Sequence, residues 1–219
     1  MPFRASLRAK LETLEKQGSP RYIGLDATGG RLFAVYVDPK FQQPMIVVMG
    51  QDADPTKARV VLDPNKLDPT GGTAFDWFVP SPDGERIAVA LSKGGSEDGS
   101  LHVFDVATGR QVGEVIPRVQ YPTAGGSAAW TPDAKGLWYT RYPGPDRPAD
   151  EQHFHQTVWF HRLGEDPKTD VQVFGDGLPK IAAIKLHFSA EAGALVLTVL
   201  NGDGGEVAHY VRGEDGRFV

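Results

Sequence analysis

A serine becomes a nucleophile when a sharp strand-to-helix turn exposes its hydroxyl, and the sequence mark of that turn is G-x-S-x-G. Two stretches approach it, Gly94-Gly95-Ser96-Glu97-Asp98 and Gly125-Gly126-Ser127-Ala128-Ala129, and each lacks the closing glycine. Without that elbow, threes of Ser, His and Asp are only turn formers and core residues. The chain has no cysteine, which removes thiolate nucleophiles, thiolate zinc sites and disulfides. Metal chemistry has one opening, His153, His155 and His161. On a strand, His-x-His turns both imidazoles to one face, and imidazole suits zinc. No acidic residue stands at an obvious ligand spacing beside them, so the reading is structural, with no metal and no cofactor expected. Trp77, Trp130, Trp138 and Trp159 offer stacking surfaces, but aromatics at repeat-equivalent strand positions more often fill the space between packed sheets.

Charge narrows the partners. The 219 residues carry 23 Lys and Arg against 28 Asp and Glu, a net charge of −5, and the basic residues form no run. Nucleic acid and anionic membrane surfaces need clustered cations and are not expected as partners. No apolar stretch is long enough to span a bilayer, and the opening Met1-Pro2-Phe3-Arg4-Ala5-Ser6-Leu7-Arg8 lacks the hydrophobic run of a signal peptide. The expectation is a soluble, cytoplasmic chain.

The elements that must position any site are mostly strands. Leu7, Leu11 and Leu14 fall at helical spacing within residues 5–17, a packing helix that Gly18 and Pro20 end. After it come short apolar or alternating runs cut by turns, such as Leu32 to Val37 and Met45 to Met49. Glycine (26) and proline (17) are abundant enough to favour many short strands over long helices.

A strand-turn-strand unit repeats. Phe78-Val79-Pro80-Ser81-Pro82-Asp83-Gly84-Glu85-Arg86-Ile87 aligns with Trp130-Thr131-Pro132-Asp133-Ala134-Lys135-Gly136-Leu137 and with Phe188-Ser189-Ala190-Glu191-Ala192-Gly193-Ala194-Leu195. Asp26-Ala27-Thr28-Gly29-Gly30-Arg31 is a degenerate fourth copy. Ser or Thr caps the turn, Asp or Glu follows, and a glycine supplies the left-handed position before the next strand. Ser81, Thr131 and Ser189 lie 50 and 58 residues apart, which suits one four-stranded propeller blade per repeat. Two blades read as complete, roughly Phe75 to Val115 and Ala128 to Phe174; a third begins near Ile184, and Arg31 to Leu62 supply an earlier piece. The expected fold is therefore all-β, a partial β-propeller of about three to four four-stranded blades over residues 21–219, behind a leader helix and linker at residues 1–20.

These landmarks carry a resemblance. Arg59-Val60-Val61-Leu62-Asp63-Pro64-Asn65, Asp76-Trp77-Phe78-Val79-Pro80-Ser81-Pro82-Asp83-Gly84, Leu91-Ser92-Lys93-Gly94-Gly95-Ser96-Glu97, Asp105-Val106-Ala107-Thr108-Gly109 and His155-Gln156-Thr157-Val158-Trp159-Phe160-His161 stand in the order in which the prolyl oligopeptidase family of serine peptidases has them. Nearly the whole chain resembles the N-terminal propeller of that family. The resemblance implies a propeller over a C-terminal α/β-hydrolase that cleaves short peptides after proline, the propeller hindering large proteins. It implies that Tyr121 lines the substrate cavity from the propeller side and that Glu97, with Asp98, faces the same cavity and attracts a substrate's positive end; the alternative for these two carboxylates is a solvated loop. Two departures stand out: Asp98-Gly99 follow Glu97 where relatives commonly have Trp, and Pro122-Thr123-Ala124-Gly125-Gly126 form an apparent insertion after Tyr121.

The leading expectation is a propeller fragment that gates access of short peptides to a hydrolase domain absent from these residues, that domain being its partner. The rival, from another class, is a free-standing interaction module without enzymatic activity that closes its ring by self-association or persists as an open array. A zinc-dependent enzyme on the three histidines is a distant third. Since no elbow is present, the 219-residue chain is expected to show no labelling by a fluorophosphonate probe and no cleavage of a proline-ending chromogenic peptide; stoichiometric labelling of one serine would contradict this.

Overall fold

A computed structural model of the chain describes residues 3–122, 124–145 and 147–219. Met1 and Pro2 of the opening segment and Thr123 of the insertion lie outside the described residues. Helix α1 (Arg4–Lys16) precedes fifteen strands: β1 (Arg21–Thr28), β2 (Arg31–Val37), β3 (Met45–Met49), β4 (Arg59–Leu62), β5 (Thr73–Pro80), β6 (Arg86–Lys93), β7 (Gly99–Asp105), β8 (Gln111–Gln120), β9 (Ala128–Trp130), β10 (Gly136–Arg141), β11 (Thr157–Arg162), β12 (Val171–Phe174), β13 (Ala182–Ser189), β14 (Ala194–Asn201) and β15 (Val207–Val211). They form four antiparallel meanders, β1–β4, β5–β8, β9–β12 and the three-stranded β13–β15. The chain is all-β in a propeller arrangement, with a short N-terminal helix. The piece expected at Arg31 to Leu62 is a complete blade, because β1 adds Arg21–Thr28 to its edge. Its irregular register around Gly24 and Leu25 hid β1 from a search for clean alternation.

Alternation does the packing. In β6, Ile87 and Val89 join Phe33, Ile46, Val48 and Phe104 between the first and second blades, while Ala88 faces the other way against Trp130, Leu137 and Tyr139. In β9 and β10, Ala128, Trp130, Leu137 and Tyr139 face the second blade, and Ala129 and Trp138 face the fourth. Each inner blade is thus apolar on both faces, and successive side chains serve two different cores. The four tryptophans sit in or against these inter-blade cores. The helix differs from its expected packing role: Leu7, Leu11 and Leu14 remain more than half exposed. Three leucines in a mixed-charge helix offer little area to offset the cost of ordering it against the sheets.

The repeated turn forms as its residues require. Ser81 Oγ donates to Asp83 Oδ1 at 2.6 Å and accepts from Arg86 N at 2.9 Å, and Gly84 takes φ +69°. In the second copy Thr131 Oγ1 donates to Asp133 Oδ1 at 2.7 Å and accepts from Gly136 N at 3.0 Å. Here the left-handed residue is Ala134 (φ +54°), not the expected glycine. Gly136 is needed for room, since a Cβ there would press on the Phe160 ring and the His161 carbonyl.

Polar staples fix neighbouring blades. Arg31 donates to the Gly84 carbonyl and pairs with Glu85 at 2.6 Å, Arg59 donates to the Val106 carbonyl at 2.6 Å, and Trp130 Nε1 donates to the Val79 carbonyl at 3.0 Å. Between the third and fourth blades, Leu186 N donates to Ser127 Oγ at 2.9 Å and Ile184 N to Gln156 Oε1 at 2.6 Å. Gly29 (φ +58°) lets the β1–β2 turn meet the β5–β6 turn, because any Cβ at Gly29 would collide with Gly84 N and the Asp83 carbonyl. Gly29→Ala should therefore cost about 2–4 kcal/mol, seen as a lower urea midpoint with unchanged slope; an unchanged midpoint would rule out that backbone contact.

Candidate functional site

Since each sheet is a meander, its connections alternate between two ends. The repeated turns occupy one end; residues 38–44, 94–98, 121–127 and 142–156 occupy the other. Tyr121 and Glu97 both belong to this second end.

Tyr121 follows directly on β8, forms an isolated bridge with Gly125 and is 9% exposed. Its ring packs edge-on against Tyr142 at 4.9 Å and stacks on His153 at 4.4 Å. Burial raises the pKa of its phenol, and the nearby Asp98 carboxylate raises it further. Glu97 sits in the β6–β7 connection, exposed, with a left-handed backbone (φ +58°). Its charge bears on Asp76, whose carboxyl pKa is raised mainly by burial, with Glu97 adding to it. A bulge between Phe75 and Trp77 takes Asp76 out of the β5–β6 register, and Ser92 Oγ donates to its Oδ1 at 2.9 Å. The other oxygen, Asp76 Oδ2, is buried without a hydrogen-bond partner among the described residues, as is Oε1 of the buried Gln120. A Cβ on Gly99 would touch both Gln120 and Asp76, so the bare backbone there makes room for them.

The structure therefore brings Tyr121, Asp98, Glu97 and Asp76 to one end of the second blade as an aromatic and acidic rim. Sequence reasoning found Tyr121 and Glu97 and passed over Asp76, Gln120 and His153. Asp76 lay inside a quoted landmark, but only the bulge shows that it leaves the strand pattern.

The three histidines part company. His153 stacks on Tyr121, and it and His155 lie in the β10–β11 connection, off any strand, so strand alternation does not align their rings. His155 has a left-handed backbone (φ +59°) and lies 3.6 Å from Glu151. His161, in β11, is buried, with Nδ1 2.7 Å from Asp170 Oδ1, while the Tyr139 hydroxyl donates to Asp170 Oδ2 at 2.8 Å. That network satisfies a buried carboxylate and holds the β11–β12 connection against β10. A depression of about 820 Å³ lies elsewhere, along the inner strands β1, β5, β9 and β13, with Thr28, Val79, Trp130 and Phe188 on its walls. Tyr121 and Glu97 lie outside it.

Burial raises the phenol pKa of Tyr142, which is 1% exposed and donates to the Gly125 carbonyl at 3.2 Å. A folded-state pKa above the unfolded value of about 10 means that the stabilisation is complete below pH 10 and is lost as pH rises above it. The urea midpoint should fall between about pH 10 and 12, and Tyr142→Phe should lessen that fall by up to about 1.4 kcal/mol per pH unit. An identical alkaline slope in the variant would show that Tyr142 ionises freely in the folded chain.

Comparison with known proteins agrees with this architecture. The family described as "Prolyl oligopeptidase, N-terminal beta-propeller domain" matches residues 3–218. A prolyl oligopeptidase of Omphalotus olearius is 31% identical over 125 residues, covering 52% of this chain and 17% of its own length. A prolyl endopeptidase of Elizabethkingia miricola is 29% identical over 147 residues, covering 63% of this chain and 19% of its own. A solved structure from a study of two prolyl endopeptidases superimposes with a TM-score of 0.84 at 25% identity, over 98% of this chain and 31% of that one. Prolyl oligopeptidase B of Galerina marginata, bound to a 25mer macrocyclization substrate, shares the fold with a TM-score of 0.79 at 18% identity, over 98% of this chain and 33% of its own. The chain thus spans about a fifth of the curated relatives' length and about a third of the solved chains. With the four meanders, their inter-blade cores and the family match over almost every residue, the chain belongs to the prolyl oligopeptidase family as its N-terminal β-propeller domain.

Proposed function

We propose that this domain gates short peptides toward a C-terminal serine hydrolase domain and forms one wall of the cavity in which they are cleaved after proline. The observation that carries the reading is the rim at one end of the second blade, where Tyr121 lies close to the acidic Asp98 and Glu97 bears on Asp76. A buried aromatic beside carboxylates that have no ion pair among the described residues suits a peptide with an apolar side chain and a positive end. The nucleophile, its base and the oxyanion donors belong to the hydrolase domain in this reading, and the propeller contributes exclusion and orientation. Compact blades with both faces buried resist the splaying that would admit a large chain.

The test is a fusion in which this chain replaces the matching segment of the Elizabethkingia meningoseptica prolyl endopeptidase, a relative 28% identical over 130 residues. The fusion should cleave a short proline-containing peptide and spare an unfolded protein of a hundred or more residues. Tyr121→Ala should raise KM for the short peptide about five- to tenfold, with a smaller change in kcat, as loss of one apolar contact predicts. Glu97→Gln should raise KM more for a peptide with a free amino terminus than for a capped one. Unchanged KM in both variants would overturn the assignment of these side chains to the cavity wall.

A further inference from the structure

A cationic hollow lies at the outer rim of this acidic chain, where the end of β8 meets the third blade. A cavity of about 410 Å³ opens there, with Arg118, Arg141 and Arg147 at its edge, facing a single carboxylate, Asp176. Asp176 accepts from Gln172 Nε2 at 2.7 Å, and Arg147 pairs with Glu151 at 3.2 Å. Arg118 and Arg141 have no ion-pair partner among the described residues. Arg118 Nε donates to the Tyr142 carbonyl at 3.2 Å, which anchors the side chain and directs its fork at the loop holding Gly144. Arg141 lies over the Trp159 ring with its guanidinium carbon 4.7 Å from the ring centroid, and Trp159 is itself held by a 2.9 Å hydrogen bond from Nε1 to Thr157 Oγ1.

Arg118 is thus fixed by a carbonyl, and Arg141 by the Trp159 indole and by the Tyr139 hydroxyl that it faces, uncharged partners that orient both guanidinium groups. Backbone geometry adds a second indication. Arg118 (φ +58°) and His155 (φ +59°), both bordering this cavity, adopt the left-handed conformation that side chains rarely hold. Such strain persists where the surroundings impose it, and it gathers at ligand sites. The remaining walls include Pro143, Leu178, Pro179 and the Trp159 ring, so the cavity has an apolar body beside its cationic edge. Its volume falls within the range of small-molecule sites, roughly 300–1,000 Å³.

We propose that this cleft binds the carboxylate of a small apolar acid, such as the C-terminal residue of a short peptide, with Arg118 and Arg141 on the oxygens and the apolar body against Leu178, Pro179 and Trp159. A planar guanidinium fork matches a planar carboxylate in two parallel hydrogen bonds, and a pre-oriented fork loses less freedom on binding. The site adjoins the Tyr121 rim through Tyr142, which lines the cavity and packs on Tyr121, but it does not depend on the domain's gating a hydrolase.

The experiment follows the Trp159 indole resonance of the 219-residue chain in solution. N-acetyl-leucine should shift it saturably, whereas N-acetyl-leucinamide, with the same body and no carboxylate, should not. Inorganic phosphate should bind at least tenfold more weakly than N-acetyl-leucine. Arg118→Asn, a residue that tolerates the left-handed backbone, and Arg141→Gln should each weaken N-acetyl-leucine at least tenfold, while Arg110→Gln at the opposite end should leave it unchanged. Melting temperatures of the variants separate lost binding from lost fold. If Arg141→Gln unfolds the chain, Arg118→Asn and the acid–amide comparison on the unaltered chain still decide. The proposal is overturned by no saturable shift, by equal binding of acid and amide, by equal binding of phosphate, or by indifference of a folded Arg118→Asn chain.

Discussion

Burial of every inner blade on both faces is the constraint on which the rest of this domain depends. A strand turns alternate side chains to opposite sides, so a sheet packed on two neighbours must be apolar at nearly every position. Strand β6 shows the consequence: Ile87, Ala88, Val89 and Ala90 are all fully buried, the larger pair filling the core toward the first blade and Ala88 lying under the bulk of Trp130 and Tyr139. Large residues on one face oppose small ones on the next, which lets the blades approach and fixes their spacing. At roughly 1.5–3 kcal/mol for each fully buried large apolar side chain, these three cores supply the main driving force.

Dispersion and burial are non-directional, so they bring blades together without setting their relative angle. That task falls to the directional contacts at the blade ends. Arg31 and Arg59 reach from the first blade to carbonyls of the second, and Trp130 Nε1 reaches from the third to the Val79 carbonyl of the second. Each bond uses a backbone oxygen near a turn or strand end, where no further strand would otherwise satisfy it. The buried Tyr139, His161 and Asp170 do the same work inside the third blade.

The two ends of the blades have divided their roles for a physical reason. The repeated turn is short and self-capped by Ser81 or Thr131 and the following aspartate, so it leaves little free chemistry. The opposite end carries the longer connections, and there the polar and aromatic side chains gather: Tyr121 on Tyr142 and His153, Asp98 beside them, Glu97 near Asp76, and Arg118 and Arg141 at the outer margin. Longer loops on a rigid sheet array are where function can vary without disturbing the cores.

The strand-rich class, the blade period, the capped turns and the family are legible in the amino-acid order alone, because alternation, turn chemistry and landmark order are local properties of the chain. That order also singled out Tyr121 and Glu97, through the resemblance. The completeness of the first blade emerges from strand pairing, since β1 is irregular around Gly24 and is recognised by its ladder with β2. Pairing and packing likewise separated His153, His155 and His161, which stand close in sequence; the first two lie in a connection, where strand periodicity carries no information. Asp76 is turned aside by a bulge, Ala134 holds the left-handed place expected of a glycine, and Arg118 and Arg141 line one cavity from two blades. Each of these depends on contacts between residues distant in the chain, and no local pattern encodes such contacts.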